Sequence, residues 1–334
     1  ATKKAAGAVA FIRTIGPSLF ILLYAISLGI LLTNSFYVST GSASSAGLGI
    51  EYGATPKAAS RFLSASDFPE PVINVIPDGG FLAWEYPNRR IFVDQRATLY
   101  GARFLQASSQ ALSGGGEAWT AFEKEYDPGA IVINCGWAGA GMAVRSLTLG
   151  QKWVLAYFDG STAILIRSQS RYASWIKNAD MQSAGLNLLE QEKQDYEKQI
   201  GCLVRPGNSA RLIGAGNVLM ALGRYREAQS VYAVLARGTP NMASAWLSLG
   251  ICQLKLGDNA QEALRLMEKA RELAPKNALV WLWLSKACAD TGQMDKARKA
   301  FDKGAAMNTR LAEHFRGTVL SASSNQFDAA FSPL

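Results

Sequence analysis

Few residues in this chain could do chemistry. It holds one histidine, His314, and four cysteines, Cys135, Cys202, Cys252 and Cys288. A lone helical histidine without a nucleophile beside it reads as a packing or surface residue. No two cysteines are spaced as CxxC and there is no CxxCH, so covalent haem attachment has no motif. Cys252 and Cys288 fall on apolar helix faces and read as buried small hydrophobes. A Cys135–Cys202 bond stays open. Asp94 and Arg96 share a strand face and could act as an acid–base pair, but a structural ion pair is the favoured reading. Residues 136–141, GWAGAG, follow a strand-type run and precede a helical one, where a dinucleotide turn would sit. The glycines miss that motif's spacing, and no acidic residue closes the next strand. GxSxG, HExxH and phosphate-loop patterns are lacking. The expectation is no catalysis, no cofactor and no metal.

The elements that carry these residues fall into three blocks, an α+β multi-domain architecture. The first is an uncharged run from Thr14 to Ile50, most apolar over 15–38. At about 1.5 Å per residue these 24 residues make roughly 36 Å of helix, enough to cross a bilayer core of about 30 Å. Leu19, Phe20, Leu22, Leu23, Ile26, Ile30 and Leu31 are the expected lipid-facing residues of a single transmembrane helix. Lys3, Lys4 and Arg13 precede it and no basic residue follows until Lys57, which places residues 1–14 in the cytoplasm and the bulk of the chain in the periplasm or another extracytoplasmic space. A cleaved signal peptide with a cut near 42–44 and a buried core helix are the competing readings. Residues 39–54 have the small-residue composition of a linker.

Residues 55–179 read as an α/β domain with a mixed sheet. Short β-type runs fall at 72–76, 81–86, 90–93, 130–134, 153–158 and 163–167, and Asp159-Gly160 marks a hairpin. Helical patterns fall at 56–66, 99–112, 117–126 and 138–149. Residues 78–84 (DGGFLAW) and 90–101 (RIFVDQRATLYG) resemble the pattern "WGGYLIW…KVFIDGRADLYG". It occurs in the extracytoplasmic C-terminal domain of bacterial polytopic membrane proteins similar to lipid-linked-sugar glycosyltransferases. Those relatives carry many spanning helices where the transferase chemistry is expected; this chain has one. The resemblance implies a fold and a compartment. Its functional alternative is a module of envelope glycan or lipid-linked-sugar metabolism, with a concave pocket near Asp78, Asp94 and Arg96.

Residues 180–208 read as a helical connector whose helix ends near Gly201. The third block is repetitive. Gly223, Gly257 and Gly292 recur at intervals of 34 and 35, with Trp246 and Trp281, Ala228, Ala263 and Ala297, and Pro240 and Pro275 in register. The pattern over 209–308 is similar to the tetratricopeptide repeat, a helix–turn–helix of about 34 residues. Three units stack because one cannot bury its apolar face alone, and residues 309–320 are the expected cap in a terminal region of 309–334. The resemblance implies a partner groove lined by Ile213, Asn217 and Met220, by Leu247, Ile251 and Leu254, and by Leu279, Leu282 and Lys286. Chaperone-binding relatives clamp a carboxylate there with polar side chains; Ile213, Leu279 and Trp283 stand in those places, so that ligand is not expected. An apolar groove suits an amphipathic helix or an extended apolar peptide, the tail 327–331 among them, or is filled by the chain's own helices.

The 334 residues carry a net charge of +8. Residues 51–200 hold 14 basic and 16 acidic side chains, whereas 209–315 hold 15 basic and 9 acidic. That excess either marks a face for an acidic partner or is a solvated helical surface. Nucleic-acid binding is not expected. The functional expectation is a membrane-anchored extracytoplasmic scaffold, an accessory subunit of an integral-membrane complex such as a photosynthetic or respiratory one. A transient assembly factor is a further alternative.

Overall fold

The computed structural model describes residues 2–40, 55–114, 116–202 and 210–316, the side chains before residue 16 excepted. Of the expected linker at 39–54, residues 39–40 are helical and 41–54 lie outside the described residues, as does the tail beyond 316.

Helix α1 spans Thr2–Leu32 and ends earlier than its apolar composition suggests. Thr33 Oγ1 bonds back to the Gly29 carbonyl at 2.7 Å, and Asn34 adopts a left-handed φ of 57°, a conformation short polar side chains tolerate. The chain then turns into α2, Ser35–Thr40. Residues 15–38 are therefore two helices rather than one span. Among the described residues no helix is long and apolar enough to cross a membrane. The seven expected lipid-facing side chains, Leu19 to Leu31, are all exposed.

The middle of the chain holds a four-stranded mixed sheet. In order come α3 (Ser60–Leu63), β1 (Val72–Asn74), α4 (Ile76–Glu85), α5 (Ala97–Tyr100), α6 (Ala102–Gly114) and α7 (Gly116–Tyr126). β2 (Ala130–Asn134), α8 (Ala140–Leu149), β3 (Trp153–Phe158), β4 (Thr162–Arg167), α9 (Ala173–Ile176) and α10 (Ala179–Gln199) follow. The sheet order is β1-β2-β4-β3, with β1 parallel to β2 and the other pairs antiparallel. Every residue of β2 is buried because both faces of the sheet are covered. Alternation along the strands divides the core. Ile131, Ile133 and Leu165 pack with α7 and α8 on one face; Ala130, Val132, Ile164 and Ile166 pack with Phe62, Leu82 and Met181 on the other.

Two expected strands are not formed. Residues 81–85 belong to α4 and Tyr86 caps its end, because Pro77 and Asp78 open a helix there: proline lacks the N–H that a first turn cannot use, and the carboxylate suits that end. Residues 90–93 are irregular chain held by Asn74, whose Nδ2 donates to the Val93 carbonyl at 2.6 Å and whose Oδ1 accepts from Phe92 N at 3.1 Å. The expected helix at 56–66 is regular only over α3, and the one at 99–112 is divided by Gly101 at φ 76°. The hairpin forms as expected. Gly160 takes φ 87°, and Asp159 Oδ1 accepts from the backbone N–H groups of Ser161 and Thr162 at 2.9 and 2.8 Å.

Among the described residues the C-terminal part is all helical: α11 (Ala210–Ala221), α12 (Tyr225–Gly238), α13 (Ala243–Leu256), α14 (Ala260–Leu273), α15 (Ala278–Asp290), α16 (Met294–Met307) and α17 (Thr309–Phe315). The chain is thus mostly helical, with a small mixed sheet and paired C-terminal helices. One apolar cluster runs from the sheet through α8 and α10 into the first two pairs, to Cys252. The expected connector is a strut inside this body. Tyr196 of α10 bonds Thr239 at 2.8 Å, and its ring fills the space beside Gly238.

Candidate functional site

The repeats share several local parts. Gly223, Gly257 and Gly292 end the first helices at φ between 71° and 76°, a backbone state that a side chain would strain. Asn259, Asn277 and Asn308 cap the helices that follow by accepting backbone N–H bonds from Glu262, Leu279 and Leu311. Trp246 Nε1 donates to the Pro240 carbonyl and Trp281 Nε1 to the Pro275 carbonyl, each at 2.8 Å. Each tryptophan therefore ties the start of one repeat to the end of the one before.

The expected groove does not open as an apolar channel. Leu247 and Ile251 are buried and Leu282 is fully enclosed, so these three present no surface to a partner. Ile213, Met220, Leu254 and Leu279 are half-buried against the cores. Asn217 accepts a hydrogen bond from the Tyr232 hydroxyl at 2.7 Å, and Lys286 pairs with Asp290. The chain fills this face itself. α8 lies against α11, and a Cβ on Gly141 would come 2.9 Å from the Ala221 Cβ. At the far end Phe315 of α17 meets Trp283 edge-on at 5.4 Å, and both are buried.

A cleft of about 500 Å³ opens on the opposite side of α15. Trp281, Leu284 and Cys288 lie two positions on from Leu279, Leu282 and Lys286, about 200° around the helix. α14 supplies Glu268 and Arg271 to one wall; α16 supplies Lys296, Lys299, Asp302 and Lys303 to the other. The sequence shows these lysines only as part of a charge excess. Their spacing of three and four is the signal that puts them on one helical face. Burial pushes the Cys288 thiol up, and Glu268 adds to that, so the cysteine is not an activated nucleophile.

The pocket expected around Asp78, Asp94 and Arg96 is not formed. Arg96 grips Asp94 with Nε and Nη2 at 2.9 and 2.6 Å, and its hydrogen bonds hold the Asp94 carboxyl below its usual range. The pairing comes from a turn, in which Arg96 N also donates to Asp94 Oδ1, and not from a shared strand face. Asp78 is buried at the carboxyl end of β2, where Asn134 Nδ2 donates to its Oδ1 at 2.8 Å. Burial pushes its carboxyl up to about 7. The neighbouring cavity, lined by Asn74, Ser108 and Trp137, measures about 40 Å³, the scale of a single water and not of a sugar. Gly139 is covered by the Trp137 ring, so residues 136–141 leave no space for a pyrophosphate. All four cysteines are free; Cys135 is buried and Cys202 exposed, so they form no bond.

The tetratricopeptide repeat family matches residues 213–263 and again residues 258–312. Such repeats mediate protein–protein interaction in general. Among solved structures, a MamA mutant aligns at 14% identity over 61% of this chain and 94% of that one, with a TM-score of 0.31. No curated protein matches.

Proposed function

We propose that this chain is a membrane-anchored, extracytoplasmic scaffold that stabilises an integral-membrane protein complex and performs no catalysis of its own. The observation that carries the reading is the surface of α1. Leu19, Phe20, Ile21, Leu22 and Leu23 are five successive exposed apolar residues, which at 100° each cover the whole circumference of the helix. Each such side chain left in water forgoes roughly 1.5–3 kcal/mol of burial, and lipid is the medium that covers a helix on all sides. Residues 16–32 of α1 account for about 26 Å at 1.5 Å per residue, and this segment is the proposed anchor, although no helix among the described residues is by itself long and apolar enough to cross a membrane. Lys3, Lys4 and Arg13 favour a cytoplasmic N-terminus.

The attachment of α2 also supports this reading. Asn241 Nδ2, between the first and second repeats, donates to the Ser39 carbonyl at 2.9 Å. That contact holds the repeats at the end of α1, close to the bilayer surface. The test is alkaline extraction of membranes with protease protection of sealed vesicles, followed by purification in mild detergent. The expected result is a chain retained in the pellet, protected only near its N-terminus, and purified with a stoichiometric partner. Leu23→Arg places a charge mid-helix at a cost of about 3 kcal/mol and is expected to reduce retention. Release of the wild-type chain by alkali, or its purification alone as a monomer, would overturn the proposal.

A further inference from the structure

We propose that the outer cleft of the third repeat docks an acidic peptide segment of a partner protein, with an apolar or aromatic side chain seated between its carboxylates. This rests on the scaffold reading and names the chemistry of the partner.

Charge is the first argument. Lys296, Lys299 and Lys303 line one wall and Arg271 the other, against two carboxylates, Glu268 and Asp302. Elsewhere on the repeats Arg224 pairs with Glu227, Arg265 with Glu262 and Lys286 with Asp290, and the cations without an ion pair, such as Arg226 and Lys276, do not line a shared cleft. Among the described residues none of the four cleft cations is in an ion pair, and Lys296 finds only the neutral Gln293 side chain at 2.7 Å. Arg271 Nε is buried there without a hydrogen-bond partner. A surface that leaves its cations unmatched in one concave place is complementary to carboxylates from outside.

The floor is the second argument. Lys303 Nζ lies 4.6 Å and the Arg271 guanidinium carbon 5.8 Å from the Trp281 ring centre. Trp281 spends its N–H on Pro275, so what it offers the cleft is aromatic surface already flanked by cations. Leu284 extends that surface. A volume of about 500 Å³ seats a large side chain and the turn of peptide around it. A nucleic acid would call for a stripe of phosphate contacts along the surface, whereas these cations close around one apolar floor.

The test uses the full chain in detergent and a fluorescein-labelled peptide in which phenylalanine is flanked by glutamates. A lysine-flanked counterpart, phosphatidylglycerol vesicles and a single-stranded oligodeoxynucleotide are run beside it. The acidic peptide is expected to bind, with affinity falling as salt rises, and the basic one not to. The double reversal Lys299→Glu with Lys303→Glu is expected to weaken binding by about tenfold or more. Lys276→Glu with Arg298→Glu, which reverses two exposed charges outside the cleft, is expected to leave binding unchanged. Equal binding by the cleft double reversal overturns the proposal, as does preference for the vesicles or the oligonucleotide. Binding that appears only after removal of residues 317–334 gives the cleft to the chain's own tail and also overturns it. If a stoichiometric membrane partner still co-purifies with the cleft double reversal, the cleft assignment falls and the scaffold reading stands. If the peptide binds as expected and no partner co-purifies, the scaffold reading falls alone.

Discussion

Arg211 of α11 donates from Nη1 to Asp159 Oδ2 at 2.6 Å and to the Asp159 carbonyl at 3.1 Å, and both side chains are buried. The pair joins the first repeat to the β3–β4 hairpin. Asp159 also accepts from Tyr157, Ser161 and Thr162, so its charge is well solvated by the fold. Arg211 is less completely served: Nε stands 3.9 Å from Glu192, too far for a hydrogen bond.

Removing the cation strands a buried carboxylate. Arg211→Ala is expected to cost about 3–5 kcal/mol. Thermal unfolding of the solubilised chain, followed by tryptophan fluorescence, checks it. Because one apolar cluster crosses the junction, the sheet and the first repeat are expected to unfold together in that measurement.

The same junction is closed by backbone contact. A Cβ on Gly214 would sit 2.4 Å from the Gly160 carbonyl oxygen and 2.9 Å from the Cys135 Cβ, and neither the turn nor the strand end can withdraw. Gly214→Ala is expected to destabilise by about 1–3 kcal/mol despite alanine's better helix propensity. Gly80, on the exposed side of α4, has nothing within 4 Å of such a Cβ. Gly80→Ala is expected to stabilise by up to about 1 kcal/mol. The two variants, compared in one denaturation series, separate packing from propensity.

Asp78 gives the fold a pH dependence. Its carboxyl is raised by burial to about 7, against 3.8 when free. The unfolded chain therefore loses this proton first as pH rises. Asp78's contribution to stability is greatest at low pH, declines from about pH 4 to about pH 7 and is flat above. Asp78→Asn keeps an acceptor for Asn134 and puts an amide where Oδ2 now has no partner. It is expected to remove that decline and to stabilise the chain at pH 7.5. Midpoints of urea unfolding from pH 4.5 to 8 check this; a slope equal to wild type counts against the buried, protonated carboxyl.

At the other end of the array Phe315 closes the last repeat over Trp283. Phe315→Ala is expected to cost about 3–5 kcal/mol locally. Hydrogen exchange should then rise in α15 and α16 while the sheet stays protected.

The strands at Ala130–Asn134 and Trp153–Phe158 were legible because they are apolar runs between clear turn residues. The repeats were legible because Gly223, Gly257 and Gly292 recur at a near-constant interval. Residues 81–86, FLAWEY, misled because their β preference is local while Pro77 and Asp78 act on the whole turn. The groove positions follow a periodic helical pattern, and such a pattern does not say that Leu247, Ile251 and Leu282 are buried. Nothing near Ile213 or Asn217 announces that α8 lies over their helix, and Gly214 looks like any repeat glycine until Gly160 is placed against it. The outer cleft was hidden because it gathers Arg271, Trp281 and Lys299 from three helices.

Trp246 and Trp281 clasp Pro240 and Pro275 in the same way, one repeat after the other. A load hung on the third repeat is thus handed back along two identical clasps to the sheet and to the end of α2 that Asn241 bonds. Under tension the outermost helices are expected to peel away first, and whatever the array carries is held at a fixed reach from α1.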